Sequence, residues 1–101
     1  PLDALVCDAS FISLKKVLPP GLRLLKSHGW LVALIKPQFE VGKGLVGKGG
    51  VVRDPKLHEL VINDITKWIE LEINMNILGV IESPILGPSG NKEFLIAAKK
   101  K

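Results

Sequence analysis

Five consecutive apolar residues, Leu31 to Ile35, constrain the fold of this chain more than any other segment. A run without polar alternation is typical of a β-strand that is covered on both faces, as in a parallel sheet. A second short apolar run, Leu2–Cys7, predicts another strand near the start of the sequence. Because a segment of helical character separates the two runs, the pattern indicates an α/β fold.

The segment between these strands predicts two short helices rather than one. Ser13 is a helix-capping residue ahead of an apolar-periodic stretch, and Pro19-Pro20 interrupts that stretch. A second helix restarts at the prolines and ends at Gly29, because glycine readily adopts the conformation that terminates helices. His28 then falls in the last turn, where the helix dipole favours a cation.

The second half of the chain predicts one long helix and two strands. Asp54 as N-cap and Pro55 at the first helical position begin an amphipathic helix that runs to about residue 72. Residues 75–82 and 92–98 predict strands that follow each other without a helix and therefore pair antiparallel. The predicted fold is α/β with a mostly parallel sheet and a final antiparallel strand. Its chain order is strand, helix, strand, helix, strand, strand.

Composition narrows the class of protein. The chain has 101 residues and 47% apolar content, which suits one small folded domain. Its single cysteine, Cys7, permits no internal disulfide and fits a reducing, cytoplasmic setting. No apolar run approaches the roughly 20 residues of a membrane span, so no membrane partner is expected. The net charge of +4 suits RNA binding, although many soluble domains carry such a charge.

Metal and hydrolytic chemistry have little support in the sequence. Cys7, His28 and His58 are not spaced as metal ligands, so no metal site is predicted. Ser10 and Ser13 have no evident histidine partner for nucleophilic catalysis. His58 is expected to be exposed in the first turn of the long helix.

The glycine-rich segment contains two partial phosphate-binding motifs. Residues 42–47 fit G-x-G-x-x-G, and residues 42–48 fit the start of a P-loop. Both motifs need a helix to begin directly after the last glycine, so that its N-terminus faces the phosphates. Here the first plausible helix start is Asp54, and Gly49 stands where a P-loop has Ser or Thr. A flexible surface loop is therefore the favoured interpretation.

Three charged residues fall at one edge of the predicted sheet. Asp8 and Lys36 follow the first two strands, and Glu93 begins the last, antiparallel strand. Ligands of open α/β sheets bind outside the carboxyl ends of the strands, so this edge is where chemistry is expected. Taken alone, each residue also has a structural interpretation, as a turn former or a solvated side chain. Taken together, they favour a shared site.

Four segments resemble, in order, the signature segments of one known family. They are C-D-A-S-F-I-S-L at 7–14, I-K-P-Q-F-E-V-G at 35–42, K-G-G-V-V-R-D at 48–54 and S-P-I-L-G-P-S-G-N-K-E-F at 83–94. The family is the TlyA group of ribosomal RNA 2′-O-methyltransferases, often labelled hemolysin A, which have an FtsJ-like, Rossmann-type methyltransferase fold. The four segments follow one another in order from residue 7 to residue 94, so the match extends over nearly the whole chain and is specific.

This resemblance implies catalytic roles. Enzymes of this type act on a ribose 2′-hydroxyl with a Lys-Asp-Lys-Glu tetrad and take the methyl group from S-adenosylmethionine. By position, Asp8, Lys36 and Glu93 correspond to the aspartate, the second lysine and the glutamate. A lysine accepts a proton readily only where burial or a neighbouring cation lowers its pKa, and the end of a buried strand suits that role.

The same resemblance implies two binding regions. Residues after the first strand are expected to contact the cofactor: Asp8, Ala9, Ser10 and Phe11. Basic residues of the glycine-rich loop are expected to contact RNA phosphates: Lys43, Lys48 and Arg53. Ribosomal RNA or a ribosomal subunit is the implied partner.

Other parts of the family pattern have no counterpart in this sequence. They are the first lysine of the tetrad, the glycine-rich cofactor loop and the N-terminal S4 RNA-binding domain. Residues 1–101 are therefore expected to form the C-terminal half of a Rossmann-like, S-adenosylmethionine-dependent methyltransferase domain, inactive alone. The uncovered edge of the strand at 2–7 is expected to favour self-association.

Two further functions stay open at this point. A non-catalytic RNA-binding or assembly module would bind RNA in a salt-dependent way without the cofactor. The older family label, hemolysin, instead implies a membrane-lytic protein. The long helix has an ordinary core-facing stripe, which does not favour insertion into a membrane.

Overall fold

The computed structural model describes residues 2–8, 13–42, 46–47, 50–87 and 90–101. The elements of this part of the chain follow one another in a strand-and-helix order. They are β1 (Leu2–Cys7), α1 (Leu14–Leu24), β2 (Leu25–Ile35), α2 (Pro37–Glu40), α3 (Pro55–Lys67) with a π-helical continuation (Trp68–Glu72), β3 (Met75–Glu82) and β4 (Phe94–Lys100). The bounds predicted for β1 and β3 are confirmed, and α2 is an additional short helix.

The sheet is mixed, and the prediction of a mostly parallel sheet is corrected. Its strand order is β1-β2-β4-β3. The β1–β2 pairing is parallel, whereas β4 pairs antiparallel with β2 on one side and with β3 on the other. The short β3–β4 connection makes those two strands antiparallel, as predicted. The chain order does not reveal that β4 lies between β2 and β3. Because β4 runs antiparallel to both neighbours, two of the three strand pairings are antiparallel.

Helix α1 is one continuous helix, and the predicted break at the prolines is wrong. Ser13 is its N-cap, as predicted, and its Oγ accepts a hydrogen bond from the Lys15 backbone N–H at 3.2 Å. Pro19 and Pro20 lie inside the helix. At the other end, the Lys100 Nζ on β4 donates hydrogen bonds to the carbonyl oxygens of residues 22 and 25. This tertiary contact satisfies the C-terminal carbonyls of α1, which sequence periodicity alone cannot show.

The residues expected to end a helix at positions 28 and 29 belong instead to β2. The β1–β2 register shifts between Leu2↔Leu25 and Ala4↔Trp30, so the chain around residues 26–29 forms a bulge. His28 has φ 65° there. A Cβ at Gly29 would lie 2.8 Å from the Lys26 carbonyl oxygen, so the glycine serves a tight strand bulge rather than a helix end.

The core lies on one face of the sheet, between the strands and helices α1 and α3. The buried hydrophobic cluster is Leu14, Leu18, Leu22, Leu25, Leu31, Ala33, Ile35, Val61, Ile65, Ile69, Met75, Phe94, Ile96 and Ala98. On β2, alternate positions from Leu31 to Ile35 enter this core, while Trp30 is 48% exposed. Within the described residues, the strand predicted to be covered on both faces is therefore covered on one.

The long helix follows its predicted N-terminal signals. The Asp54 side chain accepts a hydrogen bond from the Lys56 backbone N–H at 2.9 Å, and Pro55 occupies the first helical position. Val61, Ile65 and Ile69 recur on one face of this helix and are buried in the core. The start of this helix at Pro55 therefore also marks the end of the glycine-rich segment.

Candidate active site

Parallel pairing brings the ends of β1 and β2 to the same edge of the sheet. The pairing runs to Cys7↔Ala33, so Asp8 and Lys36 both lie just beyond the ladder. The Lys36 Nζ forms an ion pair with the Asp8 Oδ1. The Lys36 side chain is 10% exposed, whereas that of Asp8 is 60% exposed. The buried Nζ of Lys36 is thus held by a carboxylate that is open to solvent.

The antiparallel strand β4 places Glu93 at the same edge. The β2–β4 ladder ends at Ile35↔Phe94. Lys36 directly follows β2 and Glu93 directly precedes β4, so these two residues occupy the next opposed positions. Glu93 is 7% exposed. The predicted convergence is therefore present in the geometry: Asp8 contacts Lys36, and Glu93 begins the strand beside it. Asp8, Lys36 and Glu93 together are called the charged rim below.

The Glu93 carboxylate is enclosed by two residues that the sequence did not single out. The Gln38 Nε2 donates a hydrogen bond to the Glu93 Oε2 at 3.0 Å. Gly87 also lies close to this carboxylate: a Cβ added there would lie 2.6 Å from the Glu93 Cδ and closer still to Oε2. Only glycine therefore fits at position 87 beside this carboxylate in its present place.

A second carboxylate joins two of the motif segments away from the charged rim. The Glu40 Oε1 accepts a hydrogen bond from the Ser13 Oγ at 2.6 Å, and Oε2 accepts one from the Leu14 backbone N–H at 2.9 Å. Both donors lie at the start of α1, where backbone N–H groups lack helical partners and a negative charge is favourable. Glu40 thereby anchors α2 to α1 and supports the turn that follows Lys36.

A third tie connects the glycine-rich segment to the β3–β4 loop. The Asn91 Oδ1 accepts a hydrogen bond from the Val52 backbone N–H at 2.9 Å, and its Nδ2 donates to the Gly50 carbonyl oxygen at 3.0 Å. At the same residue, the His58 Nε2 lies 2.7 Å from the Val52 carbonyl oxygen. His58 is buried against the ring of Phe94, so the expectation that it is exposed is wrong.

No α-helix begins at the described residues of the glycine-rich segment, which are 42, 46, 47 and 50. The Gly47 N–H donates to the Val51 carbonyl oxygen at 2.9 Å, and the Gly50 N–H donates to the Gly47 carbonyl oxygen at 3.1 Å. These bonds make a turn where a phosphate-binding motif needs a helix N-terminus. The next helix is α3, which begins only at Pro55.

The described residues cover only part of the predicted binding regions. Of the predicted cofactor contacts, Asp8 is described, and Ala9, Ser10 and Phe11 lie outside the described residues. Of the predicted RNA contacts, Lys43 and Lys48 lie outside them as well. Arg53 is exposed and lines a shallow depression of about 280 Å³ together with His58, Lys92 and Phe94. This depression adjoins the start of β4 at Phe94.

The residues that sequence reasoning missed are Gln38, Glu40, His58, Gly87 and Asn91. All except His58 lie inside the motif segments, which is the one signal that pointed to them. Their partners are 6 to 55 positions away in the sequence, so residue spacing alone could not reveal the contacts.

Two kinds of site are not seen in the described part of the chain. No group of three or more His, Cys, Asp or Glu side chains within it is arranged as metal ligands would be. No helix within it has the length and apolar character that crossing a membrane would need.

Cys7 is a natural reporter of the charges at the rim. Burial raises the pKa of its thiol, the nearby Asp8 carboxylate raises that pKa further, and Lys36 lowers it. We expect Cys7 to react with iodoacetamide more slowly at pH 8 than a cysteine in the urea-unfolded protein, because the thiolate is the reactive form. Asp8→Asn should accelerate the reaction, and Lys36→Met should slow it, as followed by mass spectrometry of the Cys7 peptide. Equal rates in all three proteins would contradict the placement of these charges.

The chain has an α/β fold with a mixed sheet, and charged residues lie beyond the carboxyl ends of β1 and β2, where α/β domains bind ligands. The chain belongs to the FtsJ-like methyltransferase family, whose model matches residues 1–100. The sequence resemblance to TlyA-type proteins is confirmed by comparison with known relatives.

Several of these relatives are similar over most of the chain. TlyA of Mycobacterium tuberculosis, named as a 16S/23S rRNA (cytidine-2′-O)-methyltransferase, is 44% identical over 94% of this chain and 35% of its own length. YqxC of Bacillus subtilis, assigned as an rRNA methyltransferase, is 45% identical over 88% of this chain and 31% of its own length. Hemolysin A of Brachyspira hyodysenteriae is 43% identical over 92% of this chain and 38% of its own length.

Two solved structures are similar in fold to this chain. A protein from Lactococcus lactis assigned as a hemolysin superimposes with a TM-score of 0.92 at 41% identity, over 98% of this chain and 47% of that one. A Streptococcus thermophilus protein with the same assignment gives a TM-score of 0.90 at 37% identity, over 98% of this chain and 35% of that one. The present chain thus spans about a third of the length of the curated relatives that it matches.

Proposed function

We propose that the intact protein carrying this chain transfers a methyl group from S-adenosylmethionine to a ribose 2′-hydroxyl of ribosomal RNA. The observation that carries the proposal is the charged rim: a buried Lys36 paired with Asp8, with Glu93 at the next opposed position. The similarity to relatives named as rRNA methyltransferases supports the choice of RNA as substrate. In this proposal residues 1–101 form the C-terminal half of the FtsJ-like domain.

Each rim residue has a defined task in this reaction. A ribose hydroxyl becomes a good nucleophile as its proton is taken. In this step Lys36 acts as the neutral amine, and its Nζ lone pair receives the proton as the ribose oxygen bonds to the methyl carbon. Asp8, already in contact with Nζ, stabilises the ammonium group that results. The buried Glu93 carboxylate accepts hydrogen bonds and orients the ribose, so that the oxygen faces the methyl group in line.

The Asp8 carboxylate at the end of β1 is compatible with binding S-adenosylmethionine. Asp8 is more than half exposed, and its carboxylate can therefore accept hydrogen bonds from a ligand as well as hold Lys36. Ala9, Ser10 and Phe11 follow it and are proposed as further contacts. The cofactor, when bound, supplies an activated methyl group on a sulfonium centre, and the protein supplies alignment and proton removal.

Basic residues beside the rim are proposed to hold the RNA backbone. Arg53 lies in the depression next to the start of β4, and Lys43 and Lys48 belong to the same glycine-rich loop. Contacts of this kind weaken as salt concentration rises, because they release counterions from phosphates. The proposed partner is ribosomal RNA or a ribosomal subunit, and the proposed location is the cytoplasm, where ribosomes work.

The isolated chain is proposed to be inactive and to associate with itself. Strand β1 is an edge strand of the sheet, and Val6 on it is 71% exposed. An exposed apolar edge favours pairing with another copy. Sedimentation velocity of the isolated chain should show dimers or larger species, and a monomer at all concentrations would contradict this part of the proposal.

The decisive experiment for the function is a methyl-transfer assay. The intact protein is incubated with methyl-labelled S-adenosylmethionine and ribosomal RNA or subunits, with the Glu93→Gln variant in parallel. We expect label in the RNA for the wild type and little for the variant. Salt-sensitive RNA binding without transfer would support the non-catalytic RNA-binding module instead. Lysis of erythrocytes by protein that transfers no methyl group would support the hemolysin reading.

A further inference from the structure

Gln38 is a buried amide of which only one polar end has a partner. It is 9% exposed and lies in the first turn of α2, two residues after Lys36. Its Nε2 donates to the Glu93 Oε2 at 3.0 Å. Its Oε1 is buried and has no hydrogen-bond partner among the described residues.

Packing or stability does not explain this choice of side chain. A buried acceptor without a partner costs stability, and an unbranched apolar side chain of similar length, such as methionine, would fill the same space without that cost. The orientation of the amide is also fixed, since a flipped amide would point its oxygen at the Glu93 carboxylate. What the amide gains is one directed hydrogen bond to a charged oxygen, which is among the stronger kinds.

The backbone around Gln38 makes this residue a rigid link between Lys36 and Glu93. Lys36 is the N-cap of α2, and Pro37 fixes the first helical position. The turn is closed by hydrogen bonds from the Phe39 N–H to the Lys36 carbonyl oxygen at 2.9 Å and from the Val41 N–H to the Pro37 carbonyl oxygen at 3.0 Å. The residue that contacts Glu93 is therefore held at a fixed position relative to the lysine.

We propose that Gln38 is the positioning residue for the Glu93 carboxylate, setting its orientation relative to Lys36 through the hydrogen bond from Nε2. This inference rests on the proposed function, because it acts through the role assigned there to Glu93. Gly87 leaves room for the same Oε2 atom, since a Cβ there would overlap it, so the hydrogen bond from Gln38 is made where only glycine fits beside the carboxylate. A misplaced orienting group slows a reaction that depends on alignment even when the substrate still binds.

Gln38→Met is the test variant, because it removes the amide and keeps the length and volume of the side chain. We expect the single-turnover methyl-transfer rate of the intact protein to fall about 10- to 100-fold. RNA affinity and the melting temperature should change little by comparison. Asn63→Met on the exposed face of α3 is the matched control and should transfer methyl groups at the wild-type rate.

A double-mutant cycle with Glu93→Gln separates positioning from a general structural effect. If Gln38 acts through Glu93, the double variant should be no slower than Glu93→Gln alone. Rate losses that multiply would overturn the inference, because they would mean that Gln38 acts independently of the carboxylate. A wild-type rate for Gln38→Met would overturn it as well.

The same four proteins distinguish failure of this inference from failure of the proposed function. A slow Glu93→Gln with a fast Gln38→Met rejects only the role of Gln38. A fast Glu93→Gln rejects the role of Glu93 in the proposed reaction, and the inference falls with it. If Gln38→Met does not fold, Gln38→Asn takes its place, because it keeps an amide but withdraws it by one methylene and should slow transfer in the same way.

Discussion

Replacing Lys36 with methionine should lower the rate of methyl transfer by about 100- to 10,000-fold, the range that a lost general base typically produces. The variant removes the group proposed to take the proton from the ribose and keeps most of the apolar side chain that fills the end of β2. Asp8 loses its ion-pair partner but is 60% exposed, so the remaining charge is solvated and the fold should persist. Single-turnover kinetics at saturating RNA and S-adenosylmethionine measure the effect.

Lys26→Met is the matched control for this prediction. Lys26 also forms an ion pair with an aspartate, Asp3, but that pair is more exposed and lies in the bulge at the start of β2, away from the charged rim. Its loss should leave the transfer rate within about twofold of the wild type, since exposed ion pairs contribute little. Turnover by Lys36→Met at the wild-type rate would remove Lys36 from the mechanism.

Replacing Asn91 with alanine should destabilise the fold by about 2–4 kcal/mol. Asn91 is 2% exposed, and its side chain satisfies both the Val52 N–H and the Gly50 carbonyl oxygen. Its loss leaves the buried Val52 N–H unpaired, at about 1–3 kcal/mol, and removes the part-buried hydrogen bond to Gly50, which contributes about 0.5–1.5 kcal/mol. Urea unfolding of the intact protein, followed by circular dichroism, should show a lower midpoint at an unchanged slope.

Asn63→Ala supplies the reference for this second prediction. Asn63 is exposed on α3, so its substitution should change stability by less than about 0.5 kcal/mol. Equal midpoints for the Asn63 and Asn91 variants would mean that the tie between the glycine-rich segment and the β3–β4 loop does not stabilise the fold. Because Asn91 is also two residues from Glu93, we expect the surviving folded protein to transfer methyl groups more slowly.

The location of the charged rim was within reach of the sequence because it depends on where strands end. Apolar runs give strand bounds well, and the predicted limits of β1 and β3 agree with the structure. Asp8 and Lys36 follow their strands directly, and parallel pairing then brings them together. The cap at Asp54 and Pro55 is equally local and was equally predictable.

The parts that the sequence did not reveal depend on contacts between distant segments. Helix α1 continues through two prolines, and the Lys100 ammonium on the last strand caps its end. The insertion of β4 between β2 and β3 likewise depends on pairing between strands that are far apart in the sequence rather than on any local signal. The bulge at Gly29 looked like a helix end because glycine serves both purposes.

The motif segments contain structural ties as well as rim residues. The segment around Lys36 also contains Gln38, which contacts Glu93, and Glu40, which anchors the start of α1. The segment around Glu93 also contains Asn91, which holds the glycine-rich segment in place. A sequence pattern does not separate these two uses, and the hydrogen bonds do.

The central claim is that the charged rim acts on a ribose hydroxyl, and the chemical identity of the product tests it most directly. Ribosomal RNA methylated by the intact protein is digested to nucleosides and analysed by mass spectrometry. A mass increase of one methyl group on the ribose fragment, lost in Lys36→Met, is the result that the account predicts. Methylation on the base, or ribose methylation that persists in Lys36→Met, would contradict it.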